Sequence, residues 1–165
     1  MRARTKVSSV VSAMLLAFGM SGSGEGAEPP SGLRPYLVAV SVANLDASVA
    51  WYANVLGLRV AERKAFPDQG LRVAFLESEG FRLELVELKG SVSPSTCTDV
   101  SNPASLRGVG KVAFRVDDLK ETVAQLQKRG AVLFRDFRDP ATPKRGSVII
   151  KDPDGNWVQF FQHPS

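Results

Sequence analysis

Side chains able to support metal or nucleophilic chemistry are scarce in this chain. Its 165 residues include one Cys, Cys97, and one His, His163. A tight site for a first-row metal takes three or four donors, usually His, Cys or carboxylate, so the sequence cannot build a three-His site. Cys97 lies in a polar stretch without a neighbouring His to activate a thiolate. We therefore predict neither a His-based metal centre nor a Cys nucleophile, and one Cys excludes an intrachain disulfide.

A short acidic segment, Asp152-Pro153-Asp154-Gly155, has residues that a calcium loop would use. It lacks the remaining ligand spacing of an EF-hand. Asp, Pro and Gly are also the residues that tight turns favour. We interpret the segment as the turn of a β-hairpin between strands over Ser147–Lys151 and Trp157–Gln162.

The elements around these residues follow a repeated pattern. Residues 41–50 align without a gap with residues 115–124, and four apolar positions match: Val42/Val116, Leu45/Leu119, Val49/Val123 and Ala50/Ala124. Each copy passes from alternating apolar residues through Asn or Asp into an amphipathic helix that ends near a Gly. Such a repeat predicts two similar units around a pseudo-twofold axis, with any site between them built from equivalent positions of each.

Hydrophobic periodicity orders the first unit, residues 35–89, as β-α-β-β-β. The alternation over Leu37–Val42 predicts a half-buried strand. Asn44 is a suitable N-cap for a helix over Leu45–Leu56, which Gly57 is expected to end. Three further strands are predicted, separated by turn-forming residues: Leu58–Lys64, Arg72–Glu77 and Arg82–Leu88.

The second unit, residues 110–163, repeats this order. A strand over Lys111–Val116 precedes a helix over 118–129 that Asp118 caps. Strands then follow over three stretches: Ala131–Phe137, Ser147–Lys151 and Trp157–Gln162. The intervening residues 90–109 are rich in Ser, Thr, Pro and Gly and lack an apolar period, so we predict a loop that joins the units.

Three motifs in this order are similar to those of one superfamily. They are the Asn/Asp-Leu pair that begins each helix, the segment Trp51–Leu58 that closes the first, and the segment Lys151–Phe160. Together they resemble the vicinal oxygen chelate superfamily, which includes glyoxalase I, bleomycin-resistance proteins, methylmalonyl-CoA epimerase and extradiol dioxygenases. The resemblance covers residues 35–162 and implies an α+β fold. In it two βαβββ units form one glyoxalase-like module, residues 35–163, with a curled mixed sheet.

The resemblance also implies where a metal would bind. In this superfamily a divalent ion usually lies between the units, held by the first and last strands of each, often through His and Glu or Gln. Those positions fall on Leu37, Glu84, Lys111 and Gln159. Leu37 has no donor atom and the Lys111 ammonium has no lone pair, which leaves two oxygen ligands, too few for a tight site. We expect no metal cofactor, with a divalent metal at an altered site as the alternative.

Strand alternation places further side chains on the same faces as these four positions. With the implied fold, Lys111 and Glu84 are expected to meet in an ion pair that Gln159 supports as a donor. We predict a pocket with cationic and apolar walls for a small anionic or aromatic molecule, lined by eight residues: Leu37, Ser41, Glu84, Lys111, Arg115, Trp157, Gln159 and Phe161. The alternative is that the charged members only satisfy one another in a vestigial core.

The N-terminal residues have the layout of a secretory signal peptide. Three basic residues begin the chain, an apolar run follows, and small residues end near position 27. Removal of residues 1–27 deletes three bases and one acid, so the formal charge falls from +4 to +2. No basic cluster is visible in the sequence, which argues against nucleic-acid binding. We predict a periplasmic or secreted protein with no membrane association after cleavage.

Three functions are consistent with these features. The first is an exported, metal-free binder of a small molecule, similar to the bleomycin-resistance relatives, and by that resemblance a homodimer. The second is a divergent glyoxalase-like lyase or dioxygenase-like enzyme, in which Glu84 is a metal ligand or general base and Lys111 a proton donor or carbonyl-polarising group. The third is a module for protein–protein contact.

Overall fold

The fold follows from a computed structural model that describes residues 35–93, 108, 110–142 and 145–162. The predictions for the signal peptide, for Cys97 and for His163 lie outside these residues, as does most of the predicted connecting loop. Among the described residues, no helix is both long and apolar enough to cross a bilayer.

Each half of the described chain has the order β-α-β-β-β. The strands are β1 Val38–Ser41, β2 Arg59–Phe66, β3 Leu71–Ser78, β4 Phe81–Leu88, β5 Lys111–Arg115, β6 Leu133–Asp136, β7 Gly146–Lys151 and β8 Trp157–Gln162. The helices are α1 Leu45–Leu56 and α2 Leu119–Lys128, and a 3-10 turn spans Pro67–Gln69. The α+β class and the two βαβββ units are as predicted.

The strands form two four-stranded mixed sheets with the same topology. The first has the order β1-β4-β3-β2 and the second β5-β8-β7-β6, and the two sheets are not hydrogen-bonded to each other. In both, the first strand pairs parallel with the last, while the other pairs are antiparallel. The sequence repeat is therefore a repeat of topology.

The helices begin where the capping residues predict. The Asn44 side chain accepts a hydrogen bond from the Ala47 amide at 3.0 Å, and the Asp118 side chain accepts one from the Glu121 amide at 2.8 Å. Each satisfies an amide that the first helical turn leaves without a partner. Gly57 ends α1 with a φ of 71°, a left-handed conformation that glycine adopts without a Cβ penalty.

Two strands have an end that differs from its predicted position by two residues, and the other elements agree to within one residue. Strand β6 is shorter than predicted because the Ala131 amide donates to the Leu126 carbonyl at 2.9 Å and so helps to end α2. Strand β2 is longer, because Ala65 and Phe66 continue the antiparallel pairing with β3.

One core joins both units. This core contains the buried apolar residues of β1, β3 and β4, the buried sides of both helices, and apolar residues of β5, β7 and β8. Phe114 connects the units, with ring centroids 4.9 Å from Phe81 and 5.8 Å from Phe160. Alternation in β1 is as predicted, since Val40 and Val42 are buried and Ala39 and Ser41 are exposed.

A buried polar network attaches the β7–β8 turn to helix α1. The Tyr52 hydroxyl donates to Asp152 Oδ2 at 3.0 Å, and both residues are buried. Asp152 also accepts hydrogen bonds from the backbone amides of Asp154 and Asn156 and from the Asn156 side chain. Burial, followed by the nearby Asp152 charge, raises the pKa of Tyr52 above its usual range. We call Tyr52, Asp152, Asp154 and Asn156 the turn network. It confirms that the acidic segment forms a turn.

Candidate functional site

The second sheet presents a regular set of side chains on the face opposite the one that joins the shared core, with three exposed cations around the buried side chains of Ser147, Ile149 and Gln159. The pairings of β8 with β5 and β7 place three residues side by side in each of three rows: Lys111–Trp157–Lys151, Ala113–Gln159–Ile149 and Arg115–Phe161–Ser147. We call these nine residues the open face of the second sheet. Five of the predicted pocket residues, Lys111, Arg115, Trp157, Gln159 and Phe161, lie together on it.

Gln159 lies at the centre of the open face and is buried, at 5% relative exposure. Its side-chain amide donates to Ser147 Oγ at 2.8 Å, and its carbonyl oxygen Oε1 accepts from Lys111 Nζ at 2.5 Å. Since a lysine ammonium only donates, this pair of contacts fixes which end of the amide faces Lys111. Gln159 therefore acts as an acceptor toward Lys111, whereas the sequence predicted a donor.

Lys111 is the most closely held cation of this face. Besides its bond to Gln159, its ammonium lies 5.3 Å from the centroid of the Phe161 ring. Among the described residues it forms no ion pair with Glu84 or with any other carboxylate. The predicted Lys111–Glu84 pair is thus not formed within the described chain, because the neighbouring amide on the next strand supplies the acceptor.

The other three predicted pocket residues lie in the first sheet or directly beside it. Glu84 pairs with Ala39 of β1 and with Phe75 of β3. Because Ser41 is two residues from Ala39 on the same strand, Glu84 and Ser41 share a face. Glu84 is half-buried. Leu37 directly precedes β1 and is also half-buried. Glu84 has no hydrogen-bond or ion-pair partner among the described residues. A single pocket formed by all eight residues stays a prediction.

Sequence reasoning missed two residues of this surface, Lys151 on the open face and Phe134 beside it. The Lys151 ammonium lies 3.8 Å from the centroid of the Phe134 ring, and the Phe134 and Trp157 centroids are 5.6 Å apart. Lys151 was predictable, since it alternates with Ile149 and Ser147 along a strand. Phe134 was not, because a register shift between Leu133 and Arg135 breaks the alternation of β6.

Residues 36–160 match the family model of the Glyoxalase/Bleomycin resistance protein/Dioxygenase superfamily. The chain belongs to this superfamily.

Individual relatives within it are enzymes by name. A probable lactoylglutathione lyase of Synechocystis sp. is 28% identical over 133 residues, which covers 76% of this chain and 92% of that protein. An ethylmalonyl-CoA/methylmalonyl-CoA epimerase of Cereibacter sphaeroides is 32% identical over 129 residues, covering 76% and 94%. Among solved structures, a glyoxalase family protein from Enterococcus faecalis superposes with a TM-score of 0.65 at 22% identity, covering 78% of this chain and 97% of that one. This last likeness supports the fold.

The donor set of this chain does not fit the metal that the superfamily implies. At the four corresponding positions Leu37 offers a hydrocarbon and Lys111 a cation, and the Gln159 carbonyl oxygen is already bonded to that cation. Within the described residues, no three His, Cys, Asp or Glu side chains are grouped to hold an ion. An ammonium at a ligand position repels a divalent cation and has no electron pair to donate.

Proposed function

We propose that this chain is a superfamily member that binds a small anionic molecule on the open face of the second sheet without a metal ion. The observation that carries the proposal is the Lys111–Gln159 hydrogen bond at 2.5 Å. It holds a cation where relatives of this fold are expected to place a metal ligand. The fixed positive charge can attract the acidic group that a metal would otherwise coordinate.

The surroundings of Lys111 support an anionic ligand with an apolar part. Arg115 lies on the same strand and face, and Trp157 and Phe161 are half-buried on the neighbouring strand. Half-buried aromatic side chains offer a large contact area at low entropic cost. In a larger version of this proposed site, Leu37, Ser41 and Glu84, which lie in or beside the first sheet, complete the eight-residue pocket.

Replacement of Lys111 tests the proposal. Lys111→Met keeps the approximate length of the side chain and removes its charge. The probe is 2-naphthoate, an aromatic monocarboxylate, and its affinity is expected to fall by about tenfold or more, which corresponds to the free energy of one charge-assisted hydrogen bond. Thermal unfolding with and without the probe, in the presence of a chelator, measures the change. At a hundredfold excess over Kd the wild-type protein should gain about 2.7 kcal/mol.

The matched control is Lys120→Met, which removes an exposed cation from helix α2. It lowers the net charge by the same amount and should leave the affinity unchanged. If Lys111→Met binds 2-naphthoate as tightly as the wild type, or if both variants weaken it equally, Lys111 does not have the proposed role.

A second function is supported by the named relatives, which are lyases and epimerases. Glu84 is half-buried and has no partner among the described residues, a state that suits a general base. In this alternative Glu84 removes a proton next to a carbonyl group and Lys111 polarises that carbonyl. Elemental analysis after loading with Ni, Zn, Mn and Fe separates the two functions, since near-stoichiometric metal that Glu84→Ala abolishes would favour the enzyme.

The cellular setting completes the proposal. We propose an exported homodimer, with export resting on the signal-like residues 1–27 and dimerisation on the superfamily resemblance. N-terminal sequencing of the mature protein and its mass in light scattering test these two points. A full-length N-terminus and a monomer would contradict them and leave the proposed binding face intact.

A further inference from the structure

The open face of the second sheet has cations on both sides of an aromatic strip. On one side, β5 contributes Lys111 and Arg115, and in the centre β8 contributes Trp157 and Phe161. On the other side, β7 contributes Lys151. Neighbouring strands lie about 4.8 Å apart, so the backbones of Lys111 and Lys151, two strands apart, are separated by about 10 Å.

Arg135 belongs to the same side as Lys151. It pairs with Ile149 across β6 and β7, which places it in line with the central row of the open face. Its guanidinium carbon lies 4.8 Å from the centroid of the Phe134 ring, and the Lys151 ammonium lies 3.8 Å from that same centroid. One aromatic ring therefore holds two cationic groups at the outer edge of the strip.

These four cations are not neutralised by the described protein. Lys111, Arg115, Arg135 and Lys151 take part in none of its ion pairs. None of the nine open-face residues is acidic. Anions that approach this face are attracted from two sides at once.

The first sheet shows that this imbalance is particular to the second. Its corresponding face also has cations, but Arg59 and Arg82 both pair with Glu77, at 2.8 and 3.4 Å, and Lys64 pairs with Glu62 at 2.9 Å. The same topology thus produces one face that balances its own charge and one that does not. The unbalanced face is the one with the aromatic strip.

We infer that the ligand is a planar molecule with two acidic groups, one held by Lys111 and Arg115 and the other by Lys151 and Arg135. Its flat part lies against Trp157, flanked in its row by Lys111 and Lys151. This inference rests on the proposed function for the Lys111 side and adds a second anion subsite. The ligand class is a dianion that carries two carboxylate, phosphate or sulfonate groups on an aromatic or conjugated framework.

Two probes that differ by one acidic group test the second subsite. Naphthalene-2,6-dicarboxylate and 2-naphthoate share the same ring, so the ratio of their affinities isolates the second carboxylate. Calorimetric titration of the full chain should give about tenfold tighter binding of the dicarboxylate, the value of one charge-assisted contact. Lys151→Met should abolish that ratio, because it removes the ammonium of the second subsite.

The outcomes separate this inference from the proposed function. Equal affinity of the wild-type protein for the two probes, or binding of neither, overturns the second subsite. So does a Lys151→Met variant that weakens both probes equally, because that result describes a diffuse surface charge. Lys120→Met serves as the matched control and should preserve the ratio. If Lys111→Met changes neither probe while Lys151→Met removes the ratio, the proposed role of Lys111 fails and the second subsite stands.

Discussion

Asp152→Ala is expected to lower the free energy of unfolding by about 4 kcal/mol, because it leaves several hydrogen-bond donors of the turn network without an acceptor. The Tyr52 hydroxyl, two backbone amides and the Asn156 side chain all donate to this one carboxylate. At 5% exposure, water cannot readily replace it. Thermal unfolding should show a decrease in Tm on the order of 10 °C.

Tyr52→Phe is the matched control, since it removes one of those hydrogen bonds and keeps the ring in the core. It should cost about 1 kcal/mol. Burial raises the pKa of Tyr52 above its usual value near 10, so the neutral form is favoured in the folded state. The free energy of unfolding of the wild type should therefore fall as the pH rises past about 10, and Tyr52→Phe should reduce that fall. If Asp152→Ala costs no more than Tyr52→Phe, the network does not organise the turn.

Much of the fold could be predicted because its signals are local. Asn44 and Asp118 predict helix starts because their short side chains accept hydrogen bonds from amides of the first turn. Gly57 predicts a helix end because glycine readily adopts the left-handed conformation. Alternation along β1 identifies its buried side. Where the predictions missed, as at the end of β6, the deciding contact was the amide of Ala131 closing a helix, which no periodicity reveals.

The site was predictable in part, for a different reason. Residues that share a strand, such as Lys111 and Arg115, follow from alternation alone, whereas contacts between strands depend on register. Register places Gln159 beside Ala113 and Ile149, and the Lys111 side chain reaches across to the Gln159 amide. The predicted partner of Lys111 was Glu84, in a sheet that is not hydrogen-bonded to its own.

The two units differ in the charge that they carry on equivalent strands. The two units have the same strand topology, but equivalent strands in this chain carry different charges. One unit carries Glu84 without a partner among the described residues, and the other carries an excess of cations. A ligand or a second subunit that contacts both units would meet a charge-balanced surface with one unpaired carboxylate, Glu84, on the first unit and a positive surface on the second.

Gln159→Glu is expected to abolish measurable binding of 2-naphthoate, with affinity reduced by about a hundredfold or more. The substitution changes the side-chain amide to a carboxylate of nearly the same shape, 2.5 Å from Lys111 in the present geometry. The new ion pair neutralises Lys111, and the added negative charge repels the acid group of the probe. Ser147 Oγ accepts a hydrogen bond from the Gln159 amide at 2.8 Å in the wild type, and in the variant its hydroxyl can donate to the new carboxylate. Titration calorimetry at low salt measures the loss.

Gln159→Met supplies the control, because it removes the hydrogen bond to Lys111 without adding charge. Lys111 then stays cationic but loses its anchor, so the affinity should fall only about threefold to tenfold. A graded series, with wild type tightest, Gln159→Met weaker and Gln159→Glu without binding, is the signature of an anion held by charge. Wild-type affinity in a folded Gln159→Glu variant would mean that the ligand does not approach Lys111. Equal losses in both variants would mean that shape at the centre of the open face, and not charge, determines binding.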